Sequence, residues 1–139
     1  MLITQETDYA LRILRALAKR GRLTASELSQ HEQIPLPFAY KILKKLQKGG
    51  FLQIFRGPGG GYLLSVSLEQ VTLHQLMQVT EDVFYVSPCI KSDHQCPWRE
   101  AHNQEICHAH LYLRSIQEKL EKELHSHTLQ QILFGEPAL

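Results

Sequence analysis

Three cysteines and a histidine stand in the pattern Cys89-x6-Cys96-x10-Cys107-x2-His110. Thiolates are soft donors that suit zinc and iron–sulfur clusters, and an imidazole can complete either set. His110 follows Cys107 by about one helical turn, so the two share a face wherever the chain there is helical. The chain has no other cysteine, and six of its eight histidines (His94, His102, His108, His110, His125 and His127) lie in or just beyond this segment. An odd number of clustered cysteines in a cytosolic chain points to metal or redox chemistry and away from a disulfide framework. The residues alone leave three readings open. One is an iron–sulfur cluster, and another is a closed structural zinc site of three cysteines and a histidine. The third is a thiol-based regulator in which Cys89 or Cys96 senses oxidants directly.

A second chemistry is written in the charges. Residues 1–62 hold ten basic and four acidic side chains, whereas residues 63–139 hold five basic and ten acidic. The overall charge of +1 therefore hides a first half at +6 and a second half at −5. That asymmetry suits a polyanion-binding half joined to a half with another task.

The elements that would position these groups follow from periodicity. Tyr9, Ala10, Ile13, Leu14, Leu17 and Ala18 recur at helical steps from about Thr4 to Arg20, and Gly21 stops that helix. Thr24-Ala-Ser-Glu27 reads as a capping box for a short helix ending near His31. After a tight turn at residues 33–36, a third helix runs from about Pro37 to Lys48 and ends at Gly49-Gly50. Phe38, Ile42, Leu43 and Leu46 make its apolar side; Tyr40, Lys41, Lys44, Lys45 and Lys48 make the other. Two strand-like runs, residues 51–55 and 62–64, flank Arg56-Gly57-Pro58-Gly59-Gly60-Gly61, a composition suited to a hairpin tip. Helix, short helix, turn, helix and hairpin is the order of a winged helix-turn-helix, so the fold class is mainly α with a two-stranded wing.

Thr72-Leu-His-Gln75 opens a further helix reaching about Thr80, and residues 81–97 show no sustained period. From Trp98 to Phe134 there is neither Gly nor Pro, and Leu113, Ile116, Leu120 and Leu124 form a narrow stripe. A long helix with so narrow a stripe needs a second surface to cover it, and a second copy of the chain is the expected one. Thr128-Leu-Gln-Gln131 caps a short final helix after a break at residues 125–127. The chain thus divides into residues 1–80 for DNA binding, 81–110 as a Cys/His-rich cluster-binding loop, and 98–139 for dimerisation.

In a helix-turn-helix the second helix enters the major groove with its N-terminal residues toward the base edges. Phe38, Tyr40, Lys41 and Lys44 take those places here, and Lys45 and Lys48 follow for phosphates. Lysines supply affinity more than sequence information, so Tyr40 and Lys41 are the base-contact candidates. Arg56, with Gly59 and Gly60 at the wing tip, suits a narrow minor groove.

These residues resemble a known family. The wing Arg56-Gly-Pro-Gly-Gly-Gly-Tyr62-Leu63 after Leu46-Gln-Lys-Gly-Gly-Phe51-Leu52, the opening Leu2 to Arg12 and the late Thr128-Leu-Gln-Gln-Ile-Leu133 are similar to the Rrf-two-type winged helix-turn-helix transcriptional regulators, the group of IscR, NsrR and CymR. The likeness covers essentially the whole chain. It implies a homodimeric regulator, read as a repressor, that binds a pseudo-palindromic double-stranded DNA operator and dimerises through its long helix. It also implies an iron–sulfur cluster, 2Fe–2S or 4Fe–4S, on Cys89, Cys96 and Cys107, through which iron, redox state or nitric oxide would control operator affinity. His110 matches a histidine ligand of that family and Asp8 an aspartate ligand supplied by the partner subunit; His94 and His108 are further candidates. Two departures stand out. The second-to-third cysteine spacing is longer than the family's, and Tyr40 replaces an acidic base-reading residue.

Other classes are set aside on composition. Hydrophobic residues make up 43% and charged residues 21%, a globular balance. No apolar run nears the roughly 20 residues of a membrane span, and the opening residues lack a signal-peptide pattern, so a cytoplasmic location without membrane contact is expected. No Walker loop, dinucleotide fingerprint or nucleophile elbow is present, so no enzyme is expected. A zinc-stabilised winged-helix module for protein–protein assembly is the alternative function.

Overall fold

Tyr9, Ala10, Ile13, Leu14 and Leu17 form the buried face of helix α1, Gln5–Arg20, in a computed structural model that describes residues 2–81 and 84–135. Met1, Asp82, Val83 and residues 136–139, at the edges of the expected segments, lie outside the described residues. Ala16 joins the buried face of α1, whereas Ala18 is exposed. Seven residues after Tyr9, Ala16 falls closer to the middle of the apolar stripe. Gly21, at φ 79°, ends α1 in a conformation that needs no Cβ. Helix α2, Ala25–Glu32, opens on the Thr24–Glu27 capping box with both of its hydrogen bonds made. Helix α3, Leu36–Lys48, begins one residue before the expected start and carries Pro37 in its first turn. Ala39, Ile42, Leu43 and Leu46 are its buried side, packed on α1 and α2.

Strands β1, Leu52–Phe55, and β2, Gly61–Leu64, pair antiparallel, with Leu52 opposite Leu64 and Phe55 opposite Gly61. Leu23, between α1 and α2, adds a rung beside β2. Its N–H donates to the Tyr62 carbonyl at 3.2 Å, and its own carbonyl accepts from the Tyr62 N–H at 2.7 Å. Three helices followed by a two-stranded wing make the winged helix-turn-helix expected from the sequence.

Helix α4, Leu73–Thr80, and helix α7, Leu129–Phe134, both open on capping boxes, Thr72–Gln75 and Thr128–Gln131. The two caps stand side by side. The Leu73 N–H donates to the His127 carbonyl at 3.2 Å, and the Leu129 N–H donates to the Val71 carbonyl at 2.8 Å. Leu129 is thereby fully buried in the same core as Leu76 and Met77.

The Gly- and Pro-free stretch after Pro97 is not one rod. Helix α5 covers Pro97–Ala101 and helix α6 runs over His108–Ser126. Between them Asn103 and Gln104 take φ values of 54° and 61°, left-handed conformations that interrupt a helix without glycine. The apolar stripe divides as well. Leu124 is buried and Leu120 packs against the core, whereas Ile116 remains 51% exposed, as do Leu111 and Tyr112 at 48% and 73%. The C-terminal half of α6 lies against α4, so its apolar residues are used within the chain. The apolar side chains of α6 that stay exposed lie in its N-terminal half.

Candidate nucleic-acid interface and cysteine cavity

Burial of one side of α3 leaves the other side facing outward. Phe38 and Tyr40 are 46% and 51% exposed, and Lys41, Lys44 and Lys48 are exposed, with Lys45 half-buried. Two of the four lysines already have a carboxylate. Glu6 of α1 receives Lys41 Nζ on one oxygen and Lys45 Nζ on the other, each at 2.5 Å. The hydrogen bonds from Lys41 and Lys45 hold the Glu6 carboxyl below its usual range. Lys45 also donates to the Thr80 carbonyl at the end of α4, at 3.0 Å. Lys41, one of the two expected base-contact candidates, is thus already engaged by Glu6. Lys44 and Lys48 have no carboxylate within ion-pair distance among the described residues.

The wing turns at Gly57-Pro58-Gly59-Gly60, closed by a hydrogen bond from the Gly60 N–H to the Gly57 carbonyl at 2.9 Å. Gly59 has φ 73°, as position i+2 of a type II turn requires. A Cβ on Gly60 would lie 2.5 Å from the Phe55 oxygen. Arg56 is exposed beside this turn. Between wing and α3 lies an open groove of about 600 Å³, whose lining includes Arg22, Thr24, Glu27, Tyr40, Phe55 and Tyr62. Burial pushes the Tyr62 hydroxyl above its usual value, and Tyr40 adds to the shift. Tyr40 thus faces the wing across the groove, while Phe38 leans on Tyr9 with ring centres 6.3 Å apart.

Each cysteine belongs to a short turn or caps a helix. Cys89 lies in the single 3-10 turn Pro88–Ile90, and Cys96 and Cys107 are the N-caps of α5 and α6. All three are free thiols and half-buried. They line one cavity of about 240 Å³ together with His94, His110 and Arg99. Cys107 Sγ accepts the His110 N–H at 3.5 Å, and Ser87 Oγ lies 3.3 Å from Cys89 Sγ. Among the described residues, no three Cys, His, Asp or Glu side chains are gathered closely enough to hold a metal ion as they stand. The donor types fit a thiolate-ligated group, and closing on one would require the short elements to draw together. His108 is exposed and does not line the cavity. Asp8 lies on α1, paired with Arg12 at 2.7 Å, and does not line it either.

Two residues of the interface escaped the sequence reading. No motif singled out Glu6, and its partners lie 35 and 39 residues away. Nor did any motif single out Arg22, whose guanidinium donates to the Gly59 carbonyl in the wing at 2.8 Å. No local pattern signals either contact.

A winged helix-turn-helix with a lysine-bearing second helix and an arginine beside the wing tip has the form of a DNA-binding regulator. The family model described as "Rrf2: Iron-dependent Transcriptional regulator" matches residues 3–134. The HTH-type transcriptional regulator IscR of Photorhabdus laumondii is 24% identical over 143 aligned positions spanning 100% of this chain and 83% of that protein. Among solved structures, CymR, the global cysteine regulator of B. subtilis, superposes with TM-score 0.70 at 21% identity, covering 99% of both chains. IscR of T. potens gives TM-score 0.70 at 16% identity, covering 96% of this chain and 86% of that one. The chain belongs to the Rrf2 family of transcriptional regulators, proteins that bind DNA and are not enzymes. Among the described residues, no helix is long and apolar enough to cross a membrane.

Proposed function

We propose that the protein acts in the cytoplasm as a homodimeric repressor whose operator affinity is set by an iron–sulfur cluster on Cys89, Cys96 and Cys107, with His110 as the fourth ligand. The observation that carries this reading is the cavity on which these four residues converge from three separate elements. A cluster there would supply a centre able to change charge or lose iron on meeting oxygen, nitric oxide or iron scarcity. The chain's part is to present the donors on a short turn and at two helix starts, so that drawing them together shifts the start of α6. The exposed Leu111, Tyr112 and Ile116 supply the dimer surface. Tyr40, Lys44 and Arg56, with Phe38, Lys41, Lys45, Gly59 and Gly60 around them, face a pseudo-palindromic operator.

The test is a visible absorption spectrum with iron, sulfide and zinc assays on protein purified without oxygen, followed by DNA binding with and without the bound group. Brown protein with matching iron and sulfide, and an operator affinity that changes when they are removed, is expected. Colourless protein with about one zinc per chain would make the site structural. Equal affinity in both states would end the sensing role, and a monomer in sedimentation would end the dimer. Replacing His110 or Asp8 by alanine, and asking which variant loses the cluster, assigns the fourth ligand.

A further inference from the structure

Arg22 carries no carboxylate partner among the described residues, yet its guanidinium is engaged on both sides. It lies over the Phe55 ring, 4.0 Å from the centroid, and Nη1 donates to the Gly59 carbonyl at 2.8 Å. Phe55 is the last residue of β1, and Gly59 is the left-handed corner of the wing turn. Arg56 is the residue that follows Phe55. The guanidinium thus grips the wing on both sides of the residue expected to read DNA. Next to it, Leu23 is hydrogen-bonded to Tyr62 in both directions. The approach is close enough that a Cβ on Gly61 would meet the Leu23 oxygen at 2.7 Å and Arg22 Cγ at 3.2 Å. The segment between α1 and α2 therefore secures the wing twice, at β2 through Leu23 and at the tip through Arg22.

We propose that Arg22 is a positioning residue for DNA reading: it fixes the wing tip relative to α3, its guanidinium being committed to Phe55 and Gly59 and not to a phosphate. The inference rests on the reading that the wing meets DNA. A two-stranded hairpin has little stability of its own in water, so its tip needs an outside brace to hold one orientation before binding. Arginine suits that role better than lysine. Its planar fork stacks on an aromatic face and still presents N–H groups in the plane for a carbonyl. Preorganisation of this kind lowers the ordering cost of binding without adding a contact.

The experiment compares wild type, Arg22→Lys, Arg22→Ala, Arg56→Ala and Lys44→Ala. The probes are a duplex selected by the wild-type protein from a randomised pool and a scrambled duplex of equal length. Affinities are measured across a salt series, with amide exchange at Gly60 and Gly61 as a second readout. Both Arg22 variants should lose about tenfold on the selected duplex, within the range for a lost base contact. They should change little on the scrambled one, keep the wild-type salt slope, and speed amide exchange. Wild-type affinity in Arg22→Lys, with a salt slope shallower by about one in Arg22→Ala, would make Arg22 a phosphate contact and overturn the proposal. Unchanged affinity and exchange in both would overturn it too. An unchanged Arg56→Ala beside a weakened Lys44→Ala would instead remove the wing from DNA reading, and failure of selection to enrich any duplex would remove sequence-specific binding itself.

Discussion

The DNA-reading body and the cysteine region are built on different terms. From Thr7 to Thr80 the chain assembles a continuous apolar core, with Ile13, Leu28, Ile42, Leu43, Leu46, Leu76 and Met77 fully buried, and Leu129 returns to it from the far end. From residue 84 to residue 116, no described residue is more than half-buried. That region consists of a single 3-10 turn, a five-residue helix and the first turns of α6. Burial of apolar surface is the main force that fixes backbone against its conformational entropy. The first region therefore supplies its own order, while the second must draw order from what it binds or what it packs against. Metal binding, where it occurs, couples to folding and can supply such order.

The widest test of that contrast is a pair of leucines. Leu43→Ala, at a fully buried site, should lower unfolding free energy by about 2–5 kcal/mol. Leu113→Ala, half-buried at the cysteine cavity, should cost well under half of that in metal-free protein. Urea denaturation reads both, and equal losses would mean that the two regions share one core. A smaller effect concerns Glu6. Glu6→Gln should free Lys41 and Lys45 and steepen the salt dependence of random-sequence DNA binding by about one to two in log–log slope. An unchanged slope would show that the two ammonium groups already reach phosphates in the complex.

The smallest effect lies where the two regions meet. His74 of α4 is buried and stacks on His125 of α6, ring centres 3.8 Å apart, with Phe84 edge-on at 5.4 Å. Burial first, and His125 second, hold its pKa below the usual value, against an opposing pull from Glu121. Below the ordinary histidine pKa the unfolded chain takes up a proton that the folded chain refuses, so stability falls as the medium becomes more acidic. His74→Phe should keep the packing and flatten the dependence of the urea midpoint between about pH 7 and 5. An unaltered slope would assign that dependence to another group.

Much of the fold was legible because its signals are local. Thr24, Thr72 and Thr128, each followed three residues later by Glu or Gln, all make their capping boxes. The glycines of residues 57–61 make the wing turn, and the apolar steps of α1 and α3 make the core except at Ala18 and Phe38, which are exposed. The end of α5 was not legible, because Asn103 and Gln104 adopt left-handed backbone that neither residue type demands. The division of the α6 stripe depends on where that helix crosses α4, a tertiary fact. Cys89, Cys96, Cys107 and His110 line one cavity, but no three Cys, His, Asp or Glu side chains among the described residues stand close enough to hold a metal ion. Arg22 and Glu6 act across 35 to 39 residues of sequence, where no periodicity reaches.

The carboxylate that occupies Lys41 and Lys45 has a consequence for how the protein would search a genome. A reader whose cations are all exposed lingers on every stretch of duplex, because phosphates are the same everywhere. With two of the four α3 lysines held by Glu6, fewer counterions are released on arbitrary sequence, and residence there shortens. Only a site that also satisfies Tyr40 and the wing would repay drawing those lysines away, so the internal ion pair would trade grip for travel.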